Sequence, residues 1–181
     1  GKTTLTTANG FKQQLEYGFL PAGRQVMSDS LVGNRKFRTF NVMDDCTREV
    51  LAIEIDTSLT SKRVIRTLNR VIEQRGIPKT VRSDNGPEFT SNDFEIWCKD
   101  NGIQLQFIQP GEPMQNGYIE RFNRLYREAV LNAYLFFDLD QVRQLTQEWI
   151  EEYNQRRPHE GLNNLTPEEW KYKVSKNEYL Q

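Results

Sequence analysis

Alternating apolar and polar residues predict antiparallel strands in the first third of the chain. Residues 37–43 and 49–55 each alternate with a period of two, as strands with one buried face do. A polar turn at 44–47 separates the two runs, so together they predict a hairpin. Residues 27–31 are expected to end a preceding strand, which turns at 32–34.

Apolar residues at helical spacing become frequent after position 60. Thr60 or Ser61 caps a helix that extends to Arg75, and Gly76 ends it. The same kinds of signal predict, in chain order, a strand at 80–82, a helix at 92–101, a strand at 103–108, a helix at 115–134, and two further helices that open with capping boxes at 138–141 and 166–169.

This order of elements predicts an α/β fold, with a mixed five-stranded sheet flanked by helices. Residues 1–26 show no sustained period and allow at most a short helix at 11–17. We therefore divide the chain into an irregular segment, 1–26, and a folded core, 27–175. The chain begins with Gly1 rather than Met, so we expect it to be a fragment of a longer protein.

The charge of the chain is nearly balanced. Its 181 residues include 24 Lys and Arg against 25 Asp and Glu, and the sequence pI is near 6.0. A free-standing DNA-binding module is usually more basic, so any contact with nucleic acid is expected in a local groove. No apolar run approaches the roughly 20 residues of a membrane helix, and no secretory signal is visible. Cys46 and Cys98 lack metal-site spacing, so a reducing cytoplasm is the expected location.

Two carboxylates have positions that suit divalent-metal binding. Asp84 follows the strand at 80–82 and precedes the turn residues Asn85-Gly86-Pro87, whereas Glu120 lies on the helix at 115–134. Thirty-five residues separate the two carboxylates. Oxygen ligands suit Mg²⁺ and Mn²⁺, and two such ions can bind both the attacking and the leaving oxygen of a phosphodiester. Each residue also has a structural interpretation, Asp84 as a turn residue and Glu120 as a solvated helix residue.

Three motifs occur in order along the chain: SDNGPEF from Ser83, FIQPGEPMQNGYIERFNRLYRE from Phe107, and YNQRRPHEGLNNLTPEEW from Tyr153. They resemble the catalytic core of bacterial insertion-sequence transposases, in the group related to retroviral integrases. The resemblance implies a ribonuclease-H-like fold and a two-metal site for Mg²⁺ or Mn²⁺ with the Asp, Asp-(35)-Glu arrangement. Asp84 and Glu120 match the second and third carboxylates of that arrangement.

The resemblance also implies partners and further site residues. The partners would be the DNA ends of the element and target DNA at the bacterial nucleoid, with a homo-oligomer assembled on the DNA. The motif residues expected to contact DNA are Asn85, Gln115, Asn116, Arg124 and Arg127. The two arginines share a helix face with Glu120, although surface ion pairs are an alternative role for them. His159, the one histidine, is interpreted as a structural residue of the closing motif.

The first carboxylate of the family is missing from this chain. In a gapless alignment Gln25 takes its place on the opening strand, and the alternative is a short deletion that removed this segment. Gln is neutral and cannot supply the charge that two metal ions need, and Asp29, Asp44 and Asp45 match other family positions. We therefore expect a transposase core that is catalytically weak or inactive. The rival interpretations are a non-catalytic relic or interaction module and, ranked lower, a hydrolase of RNA–DNA hybrids.

Overall fold

The computed structural model describes the backbone of residues 5–6, 12–13, 18–20, 26–108 and 113–177, and the side chains of 26–108 and 117–176. Its strands are β1 (Leu5–Thr6), β2 (Lys12–Gln13), β3 (Gly18–Leu20), β4 (Val26–Ser30), β5 (Lys36–Asp44), β6 (Val50–Asp56), β7 (Thr80–Ser83) and β8 (Gln104–Phe107). Its helices are α1 (Ser61–Arg75), α2 (Asn92–Asp100), α3 (Pro113–Tyr126), α4 (Leu139–Gln155) and α5 (Pro167–Asn177), with a π-helical turn at Arg127–Leu131 and a 3₁₀ turn at Glu160–Leu162.

The predicted mixed sheet is confirmed, but among the described residues it has six strands rather than five. The extra strand is β3, which pairs antiparallel with β5 and parallel with β7. β6 pairs with the other edge of β5, and β8 lies parallel to β7. A strand of three residues is too short to show a period, so the sequence pattern missed it. Lys12–Gln13 pairs with Leu5–Thr6, so the helix allowed at 11–17 does not form at those two residues.

β3 and β4 lie end to end along one edge of β5. Leu20 of β3 pairs with Met43, and Val26 of β4 pairs with Phe40. Only two residues of β5 lie between these partners, whereas the five residues 21–25 connect β3 to β4. β3 and β4 are therefore two sections of the sheet that pair with adjoining parts of the same edge of β5.

Helices cover both faces of the sheet because the strands carry apolar side chains on both faces. One buried cluster joins β5 and β7 to α1 and α2 and includes Phe40, Leu68 and Phe94. The other joins β5 to α3 and α4, with Phe122 and Tyr153 at its centre. Within the described part of the chain, no helix combines the length and apolar character needed to cross a bilayer.

The predicted helix caps are present. The hydroxyl of Thr60 accepts a hydrogen bond from the Arg63 N–H at 3.4 Å, and Gly76 ends α1 with φ 84°. The carboxylate of Asp138 accepts from the Gln141 N–H at the start of α4. The last capping box is reciprocal: the Thr166 N–H donates to Glu169 at 2.8 Å, and the Glu169 N–H donates to the Thr166 hydroxyl.

The helix predicted at 115–134 is shorter and ends differently. α3 stops at Tyr126 and continues as the π-helical turn, in which the Asn132 N–H donates to the Arg127 carbonyl at 2.8 Å. This wider turn buries two consecutive apolar side chains, Val130 and Leu131. A regular α-helix rotates about 100° per residue and would not turn both toward the core so directly.

Candidate active site

Asp84 lies immediately after β7, at the edge of the sheet. Its side chain is half-buried, and its Oδ1 accepts a hydrogen bond from the Gly86 N–H at 2.9 Å. The Gly86 carbonyl then accepts from the Phe89 and Thr90 N–H groups, which closes the turn. Asp84 therefore has the structural role in the turn that was one of its two interpretations. This single hydrogen bond leaves the carboxylate with further positions that can accept hydrogen bonds or bind a cation.

A second carboxylate lies on the other side of Gly86. A Cβ at Gly86 would lie 2.9 Å from Asp84 Oδ1 and 3.4 Å from Glu88 Oε1, so a larger residue here would have to shift the Asp84 carboxylate. Glu88 is buried, and its Oε1 lies 3.5 Å from the Arg38 guanidinium. Glu88 therefore has its own counter-charge and supports the turn that holds Asp84.

Glu120 is exposed on α3, and a buried amide pair fixes this helix to the sheet. Asn41 on β5 is fully buried, and its Nδ2 donates to Asn123 Oδ1 at 2.8 Å. Asn123 lies almost one turn after Glu120, so the pair sets the depth and rotation of the helix near the carboxylate. Sequence reasoning missed both residues, because a contact between positions 82 residues apart has no local signal.

The residues expected to contact DNA differ in their surroundings. Arg124 and Asn85 are exposed. Arg127 is engaged within the protein, because it donates to the Ser28 carbonyl at 3.1 Å and lies 3.5 Å from Asp29 Oδ2. The backbone of Gln115 and Asn116 lies in the first turns of α3, and their side chains are outside the described residues.

The other acidic residues near the opening strands have structural partners. Asp29 pairs with Arg127, and its Oδ1 accepts from the Ser30 N–H. Asp44 is buried in the β5–β6 turn, where its Oδ1 accepts from the Cys46 and Thr47 N–H groups. Burial raises the pKa of Asp44 above its ordinary value. Asp45 forms ion pairs with two arginines, so each of these three acids has a partner within the protein.

The candidate metal site has two carboxylate donors among the described residues. Asp84 and Glu120 would supply two carboxylates, and no acidic residue occurs between Glu16 and Asp29. In the described ranges no three His, Cys, Asp or Glu residues form a group that could hold a metal ion. Gln25, the gapless counterpart of the missing acid, lies outside the described residues. Two metal ions need more negative charge than two carboxylates supply.

Two residues of the closing motif, Asn154 and His159, contact other parts of the fold. The Asn154 side chain accepts from the Val50 N–H at 2.8 Å and donates to the Val50 carbonyl at 2.9 Å, so it binds the start of β6. The His159 ring packs edge-on against Tyr153, with ring centroids 4.8 Å apart. Burial, with help from nearby arginines, lowers the pKa of His159 below its ordinary value. These positions agree with a structural role for His159.

Solved structures with this fold include retroviral integrase catalytic cores. The core domain of HTLV-2 integrase, solved in complex with magnesium in a trimeric form, matches with a TM-score of 0.66 at 20% identity, over 85% of this chain and 95% of that one. The core domain of BIV integrase matches with a TM-score of 0.65 at 18% identity, over 91% and 99% of the two chains. At this level of identity the likeness establishes the fold, which is ribonuclease-H-like, as the motifs implied.

Sequence comparison gives the family. Two integrase core domain models match, one over residues 23–113 and the other over residues 101–167. An uncharacterized 31.7 kDa protein of insertion element IS407 from Burkholderia multivorans is 42% identical over 142 residues, 78% of this chain and 51% of that protein. An uncharacterized 39.2 kDa protein of IS476 from Xanthomonas euvesicatoria is 41% identical over 139 residues, 77% and 40% of the two chains. The chain spans about half or less of these relatives, and it belongs to the integrase core domain family.

Proposed function

We propose that this chain is the DNA-binding catalytic core of a bacterial transposase that has lost most or all of its strand-cleavage activity. Its kinship with proteins of insertion elements supports the transposase part. One observation carries the loss of activity: Asp84 and Glu120 are present, but the stretch from residue 17 to residue 28 has no carboxylate. In this proposal the intact relatives act on DNA by metal-dependent cleavage and transfer of strands.

The metal would be Mg²⁺ or Mn²⁺, with Asp84 and Glu120 as its donors. These two carboxylates suffice for a weak single-ion site, because hard cations bind oxygen ligands and complete their shell with water. The second ion of the family arrangement would need the absent acid. We therefore assign the chain metal binding at one position and little cleavage.

DNA would lie along the exposed side of α3 and across the turn after Asp84. Arg124, Asn85, Gln115 and Asn116 would contact the phosphate backbone, which positions DNA without reading its sequence. Arg127 would join them only by exchanging its partly exposed ion pair with Asp29 for a phosphate. Such ion pairs contribute little to stability, so the exchange costs little.

A nicking assay on supercoiled plasmid in Mn²⁺ tests the loss of activity. The chain is compared with five single variants that place Asp at each of positions 21–25, including Gln25→Asp. We expect background nicking for the parent chain, a gain for at least one variant, and loss of that gain when Asp84→Asn is added. Strong nicking by the parent chain that Asp84→Asn abolishes would contradict the loss of activity but not the transposase function.

The rival function is a non-catalytic interaction module, and the missing carboxylate favours it as well. The five Asp variants distinguish the interaction module from the inactivated transposase core, because a module without a usable site gains no nicking activity from any of them. Failure of every variant, with normal folding, would therefore favour the module.

HTLV-2 integrase cores were solved in trimeric and dimeric forms. We propose that this chain also self-associates on DNA, which light scattering with and without duplex DNA would test.

A further inference from the structure

Arginines and aromatic rings converge on the flank of α3 opposite Glu120. The guanidinium of Arg48, in the β5–β6 turn, lies 3.6 Å from the centre of the Tyr118 ring. A Cβ at Gly161 would lie 3.7 Å from the same ring, so the ring fills the gap between α3 and the 3₁₀ turn. Tyr118 is 48% exposed, so the Arg48 guanidinium stacks on its ring at the protein surface.

Two further arginines are close to this stack. Arg121 lies one turn after Tyr118 on α3, and Arg157 follows the end of α4. Both side chains are exposed. Arg121 precedes Phe122, whose ring lies 5.4 Å from the Tyr153 ring, and Arg157 lies two residues before His159, whose ring lies 4.8 Å from the same Tyr153 ring. Within the described residues, neither guanidinium has a carboxylate partner within ion-pair distance. Like charges on one surface repel one another unless an anion joins them.

The acids around the cluster leave it positive. Asp45 lies 2.6 Å from Arg48 and 3.4 Å from Arg82, so one carboxylate serves two guanidiniums. Glu152 and Glu160 lie on either side of Arg157 in the chain, and both are exposed to water. In the described part of the chain neither forms an ion pair with Arg121 or Arg157. A local excess of positive charge therefore exists in a chain whose net charge is −1.

The cluster lies on a different flank of α3 from Glu120, and Asp45 links it to Arg82 on β7, two residues before Asp84. An α-helix rotates by about 100° per residue, so Tyr118 and Arg121 share one flank of α3 while Glu120 and Arg127 share the other. Contacts confirm this division: Tyr118 meets Gly161 beside α4, and Arg127 meets Ser28 on β4. DNA that spans the helix could therefore touch both flanks at once.

We propose that Arg121 and Arg157, with the Arg48–Tyr118 stack beside them, form a second phosphate-binding surface for duplex DNA. This inference rests on the proposed function and extends the DNA contact from the Glu120 flank of α3 to the opposite flank. The ligand is the phosphate backbone, because guanidinium groups match phosphate oxygens in geometry and charge. Phosphate contacts of this kind add affinity without reading the sequence.

The salt dependence of DNA binding tests the surface directly. Binding of a fluorescent duplex of mixed sequence is measured in EDTA between about 50 and 200 mM KCl, for the parent chain and for Arg121→Gln/Arg157→Gln. Each lost phosphate contact lowers the slope of log affinity against log salt by about 0.9, so the double variant is expected to lose about 2. Arg121→Lys/Arg157→Lys should keep most of the slope, because the charges remain. Arg66→Gln, an exposed arginine on α1 across the sheet, is the matched control.

The outcomes separate this inference from the proposed function. A lower slope in the Gln double variant alone, with unchanged thermal unfolding, would support the surface. If the parent chain binds DNA and the double variant keeps its full slope, the surface is refuted and the proposed function survives. If the parent chain does not bind duplex DNA at all, the proposed function and this inference both fail.

Discussion

The buried amide pair between β5 and α3 gives a direct test of how the site is positioned. Asn41 Nδ2 donates to Asn123 Oδ1 at 2.8 Å, and its other neighbour is the Met27 thioether at 3.4 Å. Replacing Asn123 by Ala removes the oxygen acceptor and leaves a fully buried N–H group with only a weak sulfur acceptor. The structure therefore predicts that Asn123→Ala destabilises the fold.

The magnitude follows from the state of the Asn41 side chain. A buried donor left without its partner costs about 1–3 kcal/mol, which in a domain of this size lowers the melting temperature by about 2–4 °C per kcal/mol. The Asn41 carbonyl oxygen already lacks a hydrogen-bond partner among the described residues. Replacing both amides by Leu removes that unsatisfied oxygen and the orphaned donor together. Asn41→Leu/Asn123→Leu is therefore expected to be less destabilising than Asn123→Ala, because it leaves no orphaned donor at position 41.

Urea unfolding followed by circular dichroism measures both effects. Asn132→Ala, an exposed position after the π-helical turn, is the control and should stay within about 0.5 kcal/mol of the parent chain. An Asn123→Ala variant with an unchanged free energy of unfolding would show that the hydrogen bond contributes nothing to stability. A double Leu variant as unstable as the single Ala variant would show that packing, rather than amide pairing, fixes α3 on the sheet.

Three further predictions concern the supports of the site. Asn154→Ala should cost about 1–3 kcal/mol in urea unfolding, because the Val50 N–H and carbonyl both lose their partner; an unchanged midpoint would mean that water replaces the amide. Gly86→Ala should weaken Mn²⁺ binding, because the added Cβ would lie 2.9 Å from Asp84 Oδ1 and push the carboxylate aside. An unaltered Mn²⁺ affinity in calorimetry would contradict this. The lowered pKa of His159 means that the unfolded chain takes up a proton first as the pH falls, so the free energy of unfolding should decrease as the pH drops below 6.5. His159→Gln should flatten that decrease, and equal pH profiles for both chains would refute the assignment.

The sequence predicted the elements whose signals are local. The N-cap at Thr60 and the C-terminal Gly76 bound α1, and the capping box at 166–169 opens α5. The turn that holds Asp84 follows from Asn85-Gly86-Pro87, because a short polar run with glycine cannot continue a strand. These signals depend on backbone chemistry within a few residues, and tertiary packing did not override them.

Features that depend on distant contacts were not predicted. β3 has three residues and is defined by its partners β5 and β7 rather than by its own pattern. The π-helical turn depends on how Val130 and Leu131 fit the core. The ion pair of Arg127 with Asp29 joins positions 98 residues apart, and helical spacing alone had suggested only that Arg127 shares a face with Glu120. In each case the deciding energy comes from packing or charge pairing between elements, which the local sequence does not encode.

A calorimetric Mn²⁺ titration tests the central claim, that Asp84 and Glu120 survive as part of a metal site. The parent chain is compared with Asp84→Asn, Glu120→Gln and the control Asp93→Asn on the exposed side of α2. We predict weak binding of a single ion that both site variants abolish and the control retains. Binding that is absent from the parent chain, or that neither site variant changes, would contradict the account.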